Sequence, residues 1–258
     1  MRYFVVDAFS DDLFGGNPAG VCVLDAPIGA ELMQRIAAEN NLSETAFLLR
    51  TEDHYKLQWF TPRAEIDLCG HATLGTAFVI KNFVDKNVER MRFATKSGIL
   101  HVHVRNDRYV LDFPARMPKP ILVTEEMAAA INAEPKEAHL SRDLMLVLEN
   151  EEQVDSLQPD FHKLSDLEPG LGVIVTAKGK QHDFVSRCFY PKLGVPEDPV
   201  TGSAHCNLIP YWAERLNQSS MVAAQLSERG GVLYCEHKGD RVEIGGSAVL
   251  YLQGELMI

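Results

Sequence analysis

The chain lacks the spacings through which many chemistries announce themselves. Its five cysteines, Cys22, Cys69, Cys188, Cys206 and Cys235, are an odd number without a C-x-x-C pair. That pattern argues against zinc-finger and disulfide-framework readings, and leaves most of the five as small buried hydrophobes in a reducing compartment. No G-x-G-x-x-G follows a strand, and there is neither a Walker-type lysine nor an H-x-x-x-H pair. Nucleotide and metal readings are therefore weak, and neither a metal nor a cofactor is expected. No segment approaches the roughly 18 uninterrupted apolar residues of a membrane span. Positive charge is also scarce. Twenty-five Lys and Arg face 36 Asp and Glu, a net charge of −11, whereas a nucleic-acid partner needs a concentrated basic face. A small anion is still allowed, because one pocket can be positive within a negative protein. Met1 to Asp7 reads as a strand and lacks the basic start and apolar run of a signal peptide. A cytoplasmic location without membrane or nucleic-acid partners is the expectation.

What is present fits two domains. At 258 residues the chain accommodates two units of about 130. Apolar residues at Leu32, Met33, Ile36 and Ala37 have helical spacing and predict a helix over Glu31–Asn40, stopped by Asn40 and Asn41. Tyr55, Leu57 and Trp59 alternate as in a strand. The loop Asp11–Gly20 contains Gly15-Gly16-Asn17-Pro18, which is turn chemistry. A meander follows over Met91–Ala94, Gly98–Arg105 and Tyr109–Phe113, with Asn106-Asp107 as its tight turn. Pro114, Pro118 and Pro120 then mark a linker, since proline neither continues a helix nor suits a central strand. The expected lobes are 1–115 and 116–258.

The second half repeats the first. Phe60-Thr61-Pro62 recurs as Phe189-Tyr190-Pro191, Gly70 as Gly202, Gly98-Ile99-Leu100 as Gly231-Val232-Leu233, and Asp107-Arg108 as Asp240-Arg241. The shifts drift only from 129 to 133 residues. Each half has many short strands and one apolar helix without regular β-α-β alternation. The predicted fold is α+β, with two pseudo-symmetric lobes, each a twisted barrel-like sheet wrapped around a central helix. The helix predicted over His71–Asn82 is made of small and apolar residues on most of its surface, which suits a core position. Both helix starts are expected to face a shared cleft that takes a small molecule.

Two polar stretches feed these helices, Glu65–Thr73 and Glu197–His205. Backbone N–H groups at a helix start suit an anion, which makes Gly70, Gly202 and Ser203 candidate binders; close packing of helix on sheet would equally favour small residues there. Glu44 precedes an apolar strand, where desolvation would disfavour its charged form and suit proton transfer; an exposed loop glutamate is the alternative. His71 begins the central helix, whose positive end is expected to keep it neutral, unless it is simply a core histidine. Asp198 could orient His71, or could be a helix cap ahead of Pro199. Asn17 could hold a polar group or merely tolerate a turn. Cys69 could be a thiolate base if the helix dipole lowers its pKa.

Gly16-Asn17-Pro18-Ala19-Gly20, Asn41-Leu42-Ser43-Glu44-Thr45-Ala46-Phe47, Cys69-Gly70-His71-Ala72-Thr73-Leu74-Gly75 and Glu197–His205 together resemble the PhzF-like isomerases of phenazine biosynthesis. The motifs come in that family's order and span essentially the whole chain. The resemblance implies a diaminopimelate epimerase-like fold and a cofactor-independent isomerase in which Glu44 moves the proton. The family's phenazine enzyme isomerises trans-2,3-dihydro-3-hydroxyanthranilate by shifting a ring hydrogen, leaving an enol that becomes a ketone. By motif, His71 and Asp198 would hold the substrate's amine or assist transfer, and Gly70, Gly202 and Ser203 would bind its carboxylate. A homodimer is also implied. The alternative is a non-catalytic small-molecule-binding or interaction protein that retained the fold.

Overall fold

The computed structural model describes all of residues 1–258. The chain divides into two units, one of Met1–Asp112 with Gly245–Ile258, the other of Phe113–Ile244. The expected division at 115/116 therefore assigns the C-terminal segment to the wrong lobe. The cause is strand pairing. A last strand runs antiparallel along the first, from Arg2↔Glu255 to Ala8↔Ala248, with an irregularity between Val5 and Val6. Backbone bonds Phe9 N–H to Ser247 O (2.8 Å) and Leu256 N–H to Met1 O (2.9 Å) close both ends of that ladder.

The first unit opens with β1 (Arg2–Ala8), β2 (Asn17–Leu24), α1 (Ala30–Asn40), β3 (Glu44–Arg50), β4 (Tyr55–Phe60) and β5 (Glu65–Ile66). Next come α2 (Gly70–Val79) with a π-helical turn over Ile80–Val84, and the strands β6 (Arg90–Thr95), β7 (Gly98–Arg105) and β8 (Arg108–Pro114). In the second unit β9 (Lys119–Ile121), α3 (Glu125–Ile131), β10 (Glu137–Leu140), β11 (Leu144–Val147), α4 (Glu151–Asp155) and α5 (Phe161–Asp166) lead to β12 (Val173–Lys178) and β13 (Phe184–Tyr190). There follow β14 (Val195–Asp198), α6 (Gly202–Leu216), β15 (Ser220–Gln225), β16 (Gly231–Lys238) and β17 (Arg241–Gly246), and β18 (Ala248–Glu255) completes the first unit.

Strand pairing makes the internal repeat explicit. In the first unit β1–β2 is antiparallel, β2–β3 parallel, β3–β4 antiparallel, β4–β6 parallel and β6–β7 antiparallel, with β5 beside β4. The second unit follows the same series through β10, β11, β12, β13, β15 and β16, with β14 beside β13. The parallel steps require crossovers, which α1 and then α2 supply in one unit, and α4 with α5 and then α6 in the other. The helix α2 packs on β1, β2, β3 and β18, and every residue from His71 to Val79 except Phe78 is buried. Burial on this scale explains its composition, since no face needs to be polar. By contrast α1 buries only Met33, Ile36 and Ala37, against Tyr3, Phe47 and Phe60. No helix is long and apolar enough to cross a membrane.

Three local expectations need correction. Asn17 and Pro18 belong to β2 rather than to the preceding loop. The glycine in that loop which the backbone does demand is Gly16, at φ 63°, where a Cβ would fall 2.2 Å from the Ala8 carbonyl oxygen. The α-helical part of the central helix stops at Val79, and Asp85 N–H bonds the Ile80 carbonyl in a wider turn. Pro120 lies in a strand after all, opposite His139. The strand β9 is only three residues long, and brief or edge strands are where proline is tolerated.

Candidate functional site

Neighbouring strands and the α2 start bring Glu44, Cys69 and His71 together in the first unit. The parallel β2–β3 ladder sets Glu44 beside Ala19, at the mouth of β3. Asn41, in the left-handed conformation at φ 50°, ends α1 and redirects the chain towards it. Cys69 is the N-cap of α2 in extended conformation and offers no side-chain cap. Its carbonyl instead accepts from Thr73 N–H (3.1 Å) and the Thr73 hydroxyl (2.5 Å), which fixes the first turn.

Within this cluster His71 Nε2 lies 3.0 Å from Glu44 Oε2. The approach is close but poorly aligned for a hydrogen bond, and that oxygen has no other hydrogen-bond partner. The His71 side chain is 6% exposed and that of Glu44 15%, with Oε2 itself buried. The Cys69 sulfur is 3.6 Å from His71 Nδ1 and 3.9 Å from Nε2.

These contacts reverse two electrostatic expectations. Burial opposes the imidazolium form of His71, but the Cys69 sulfur and the Glu44 carboxylate outweigh it and raise the pKa well above the ordinary value. The helix dipole, which acts in the opposite direction, does not decide the matter. Cys69 in turn is pushed up to about 11, first by burial and then by the neighbouring Glu44 carboxylate. It is a thiol near neutrality, which removes the basis for a thiolate at this position. Beside the helix start a carboxylate therefore faces a histidine whose charged form is favoured. Three donors so close could also approach one cation. The remaining candidate of this unit, Asn17, is fully buried as the first residue of β2, opposite Ala8.

The second unit carries Asp198, Gly202 and Ser203 around the start of α6. Asp198 ends β14, opposite Cys188, and Thr201, not Asp198, is the N-cap. The helix begins at Gly202, so the alternative of Asp198 as cap with Pro199 as first helical residue does not hold. The loop between them is braced from two sides. Gln225 accepts from Thr201 N–H at 2.9 Å and donates to the Asp198 carbonyl at 2.6 Å. The Thr201 hydroxyl donates to Asp198 Oδ2 at 2.6 Å, and Arg187 grips Glu197 through two bonds of 2.7 and 2.8 Å. His205, one turn into the helix, donates from Nδ1–H to the Thr201 carbonyl at 2.8 Å. Burial lowers its pKa to about 4, which makes it a neutral core histidine.

Sequence reasoning overlooked Arg142, Thr201 and Gln225. Arg142 and Asp143 sit between β10 and β11, and an Arg-Asp pair directly before an apolar strand was the one available signal. Gln225 gave none, since it is a lone glutamine 24 residues from its partner Thr201.

The comparisons with known proteins agree with this two-unit α+β fold. The model of the PhzC-PhzF family, phenazine biosynthesis-like proteins, matches residues 6–254. An uncharacterized isomerase of Pseudomonas aeruginosa is 51% identical, over 100% of this chain and 99% of that one. A crystal structure of a PhzF-family phenazine biosynthesis protein from Enterococcus faecalis is 52% identical, covers 100% of this chain and 99% of its own, and superposes with a TM-score of 0.98. A probable proline racemase from Agrobacterium radiobacter is only 9% identical but superposes with a TM-score of 0.65 over 100% of this chain and 93% of that one, a likeness of fold alone. The chain belongs to the phenazine biosynthesis-like family, and is isomerase-like by its relatives.

Proposed function

We propose that the protein is a cofactor-independent isomerase that moves a proton within a small carboxylate-bearing substrate, with Glu44 as general acid/base. The observation that carries this reading is the Glu44–His71 pair, 3.0 Å apart at a buried helix start, with the Glu44 side chain still 15% exposed. In the reaction Glu44 accepts a proton from one substrate carbon, the electron pair shifts along the conjugated system, and the same carboxyl returns the proton to another carbon. Nothing is oxidised or reduced, and no atom is gained. His71, held protonated, supplies positive charge next to Glu44 and can donate to a substrate heteroatom. Asp198 is assigned to the substrate's amine or to assisting the transfer. Gly70, Gly202 and Ser203 are assigned to its carboxylate, since helix-start N–H groups favour an anion by the alignment of peptide dipoles.

General acid–base catalysis of this kind contributes about 10²–10⁴-fold. The test is a panel of small hydroxy- and amino-acids, including trans-2,3-dihydro-3-hydroxyanthranilate, incubated with the protein in D2O. Turnover with deuterium entering the product is expected from the wild type, with a loss of about 10²–10⁴-fold in Glu44→Gln. Undiminished exchange in that variant, with its fold intact by circular dichroism, would remove Glu44 from the mechanism.

A further inference from the structure

The matching strand order gives the hairpins β1–β2 and β10–β11 equivalent places in their units. In the first unit the connecting loop leads into Asn17; in the second it is Ser141-Arg142-Asp143. Arg142 is anchored there. Its Nε and Nη2 donate to Asp143 at 3.2 and 2.9 Å, and Asp143 is fully buried. The same Nη2 reaches across to the start of α6 and donates to Ser203 Oγ at 3.0 Å. The Arg142 side chain is nonetheless 35% exposed, so a ligand can reach it.

We propose that Arg142 is a specificity-determining residue of this helix start, where its guanidinium and the Ser203 hydroxyl that it orients select a carboxylate over a neutral amide. The inference rests on the reading of Gly202 and Ser203 as carboxylate holders given above. A hydroxyl that accepts from a guanidinium must aim its own proton elsewhere, which turns Ser203 Oγ into a donor for whatever arrives. Thr201 provides no side-chain cap to the first-turn N–H groups. Arg142, the Ser203 hydroxyl and the first-turn N–H groups are then all donors, and one is a permanent cation. Such a set matches an acceptor-only anion and leaves the NH2 of an amide facing donors without a partner. Asp143 absorbs part of the charge but fixes the guanidinium plane, which favours a planar carboxylate over a spherical ion.

The test is calorimetric titration with anthranilate and with anthranilamide, its neutral counterpart. Because Arg142→Gln alone would strand the buried Asp143, it is made together with Asp143→Asn; Ser203→Ala and Arg142→Lys complete the set. The wild type should prefer anthranilate by at least about tenfold, in line with a charge-assisted hydrogen bond. The double variant should lose that preference, and Ser203→Ala and Arg142→Lys should each reduce it severalfold. Amide signals of Gly202 and Ser203 should shift with anthranilate and not with anthranilamide. An unchanged preference in a folded double variant overturns the proposal, as does equal or absent binding of the two probes to the wild type. Glu44→Gln should leave the preference intact, so failure of the proton-transfer reading and failure of this one give different results.

Discussion

At the start of α2 the side chains are Cys69 and His71, with Glu44 facing them; at the start of α6 they are Thr201 and Ser203, with Arg142 alongside. Both helices begin with a glycine, and both follow the same series of strand pairings. The difference lies in what the neighbouring strand or hairpin delivers. The mouth of β3 delivers a carboxylate, whose charge supports a protonated histidine; the β10–β11 hairpin delivers a guanidinium, which commits a serine to donation. The surroundings differ as well. The Glu44–His71 contact is poorly aligned for a hydrogen bond, whereas the loop before α6 is locked by Gln225, Thr201 and Arg187. A repeated backbone therefore sets where polar groups can be presented, and a few distant side chains set which groups they are.

The comparison can be broken by substitution. The largest effect is expected at the acid–base pair. His71→Gln removes the charge beside Glu44 and a charged donor to the substrate heteroatom worth about 1.5–3 kcal/mol, so turnover should fall by about 10–100-fold with little change in substrate affinity, read as a split between kcat and KM. A fall in affinity alone would place His71 in binding instead.

Next comes the brace in the second unit. Gln225→Ala leaves the buried Thr201 N–H without its acceptor, at a cost of about 1–3 kcal/mol. For a protein of this size that lowers Tm by roughly 2–10 °C, measurable by calorimetry, and an unchanged Tm would show that water or another group replaces the glutamine.

A smaller effect is the pH dependence of stability. The folded-state pKa of His71 is raised above 6.5, so its contribution is complete below about pH 6.5 and is lost as pH rises through the folded value. The slope of Tm against pH above 6.5 should flatten in His71→Gln. An identical slope in both proteins would mean that His71 is not held protonated.

The smallest effect is expected at Cys69. Its thiol pKa of about 11 leaves no base to remove, and Cys69→Ala should keep turnover within about threefold. A loss of several orders of magnitude would restore a thiolate mechanism.

What could be read from the sequence was what is encoded locally. The amphipathic spacing of α1, the alternation in β4 and the Asn106-Asp107 turn, whose two residues adopt φ of 51° and 60°, depend on neighbours within a few positions. The apolar composition of α2 likewise announced its burial. The pairing of β18 with β1 joins residues from opposite ends of the chain, and neither strand carries a mark of the other. The charge state of His71 failed for the same reason. The helix dipole is visible from sequence, but Glu44 lies 27 residues away and is brought within 3.0 Å only by the β2–β3 ladder. Arg142 was missed because its partner Ser203 is 61 residues distant. The repeat gave the existence of two matching helix starts, whereas their contrasting equipment came from such long-range contacts.

The division of labour between the two helix starts is tested most directly by measuring binding and proton exchange together in Glu44→Gln. With a substrate identified from the panel, affinity by titration should stay within about threefold of the wild type, while deuterium incorporation falls by about 10²–10⁴-fold. Exchange that persists at the wild-type rate, or affinity that collapses together with exchange, would contradict the account.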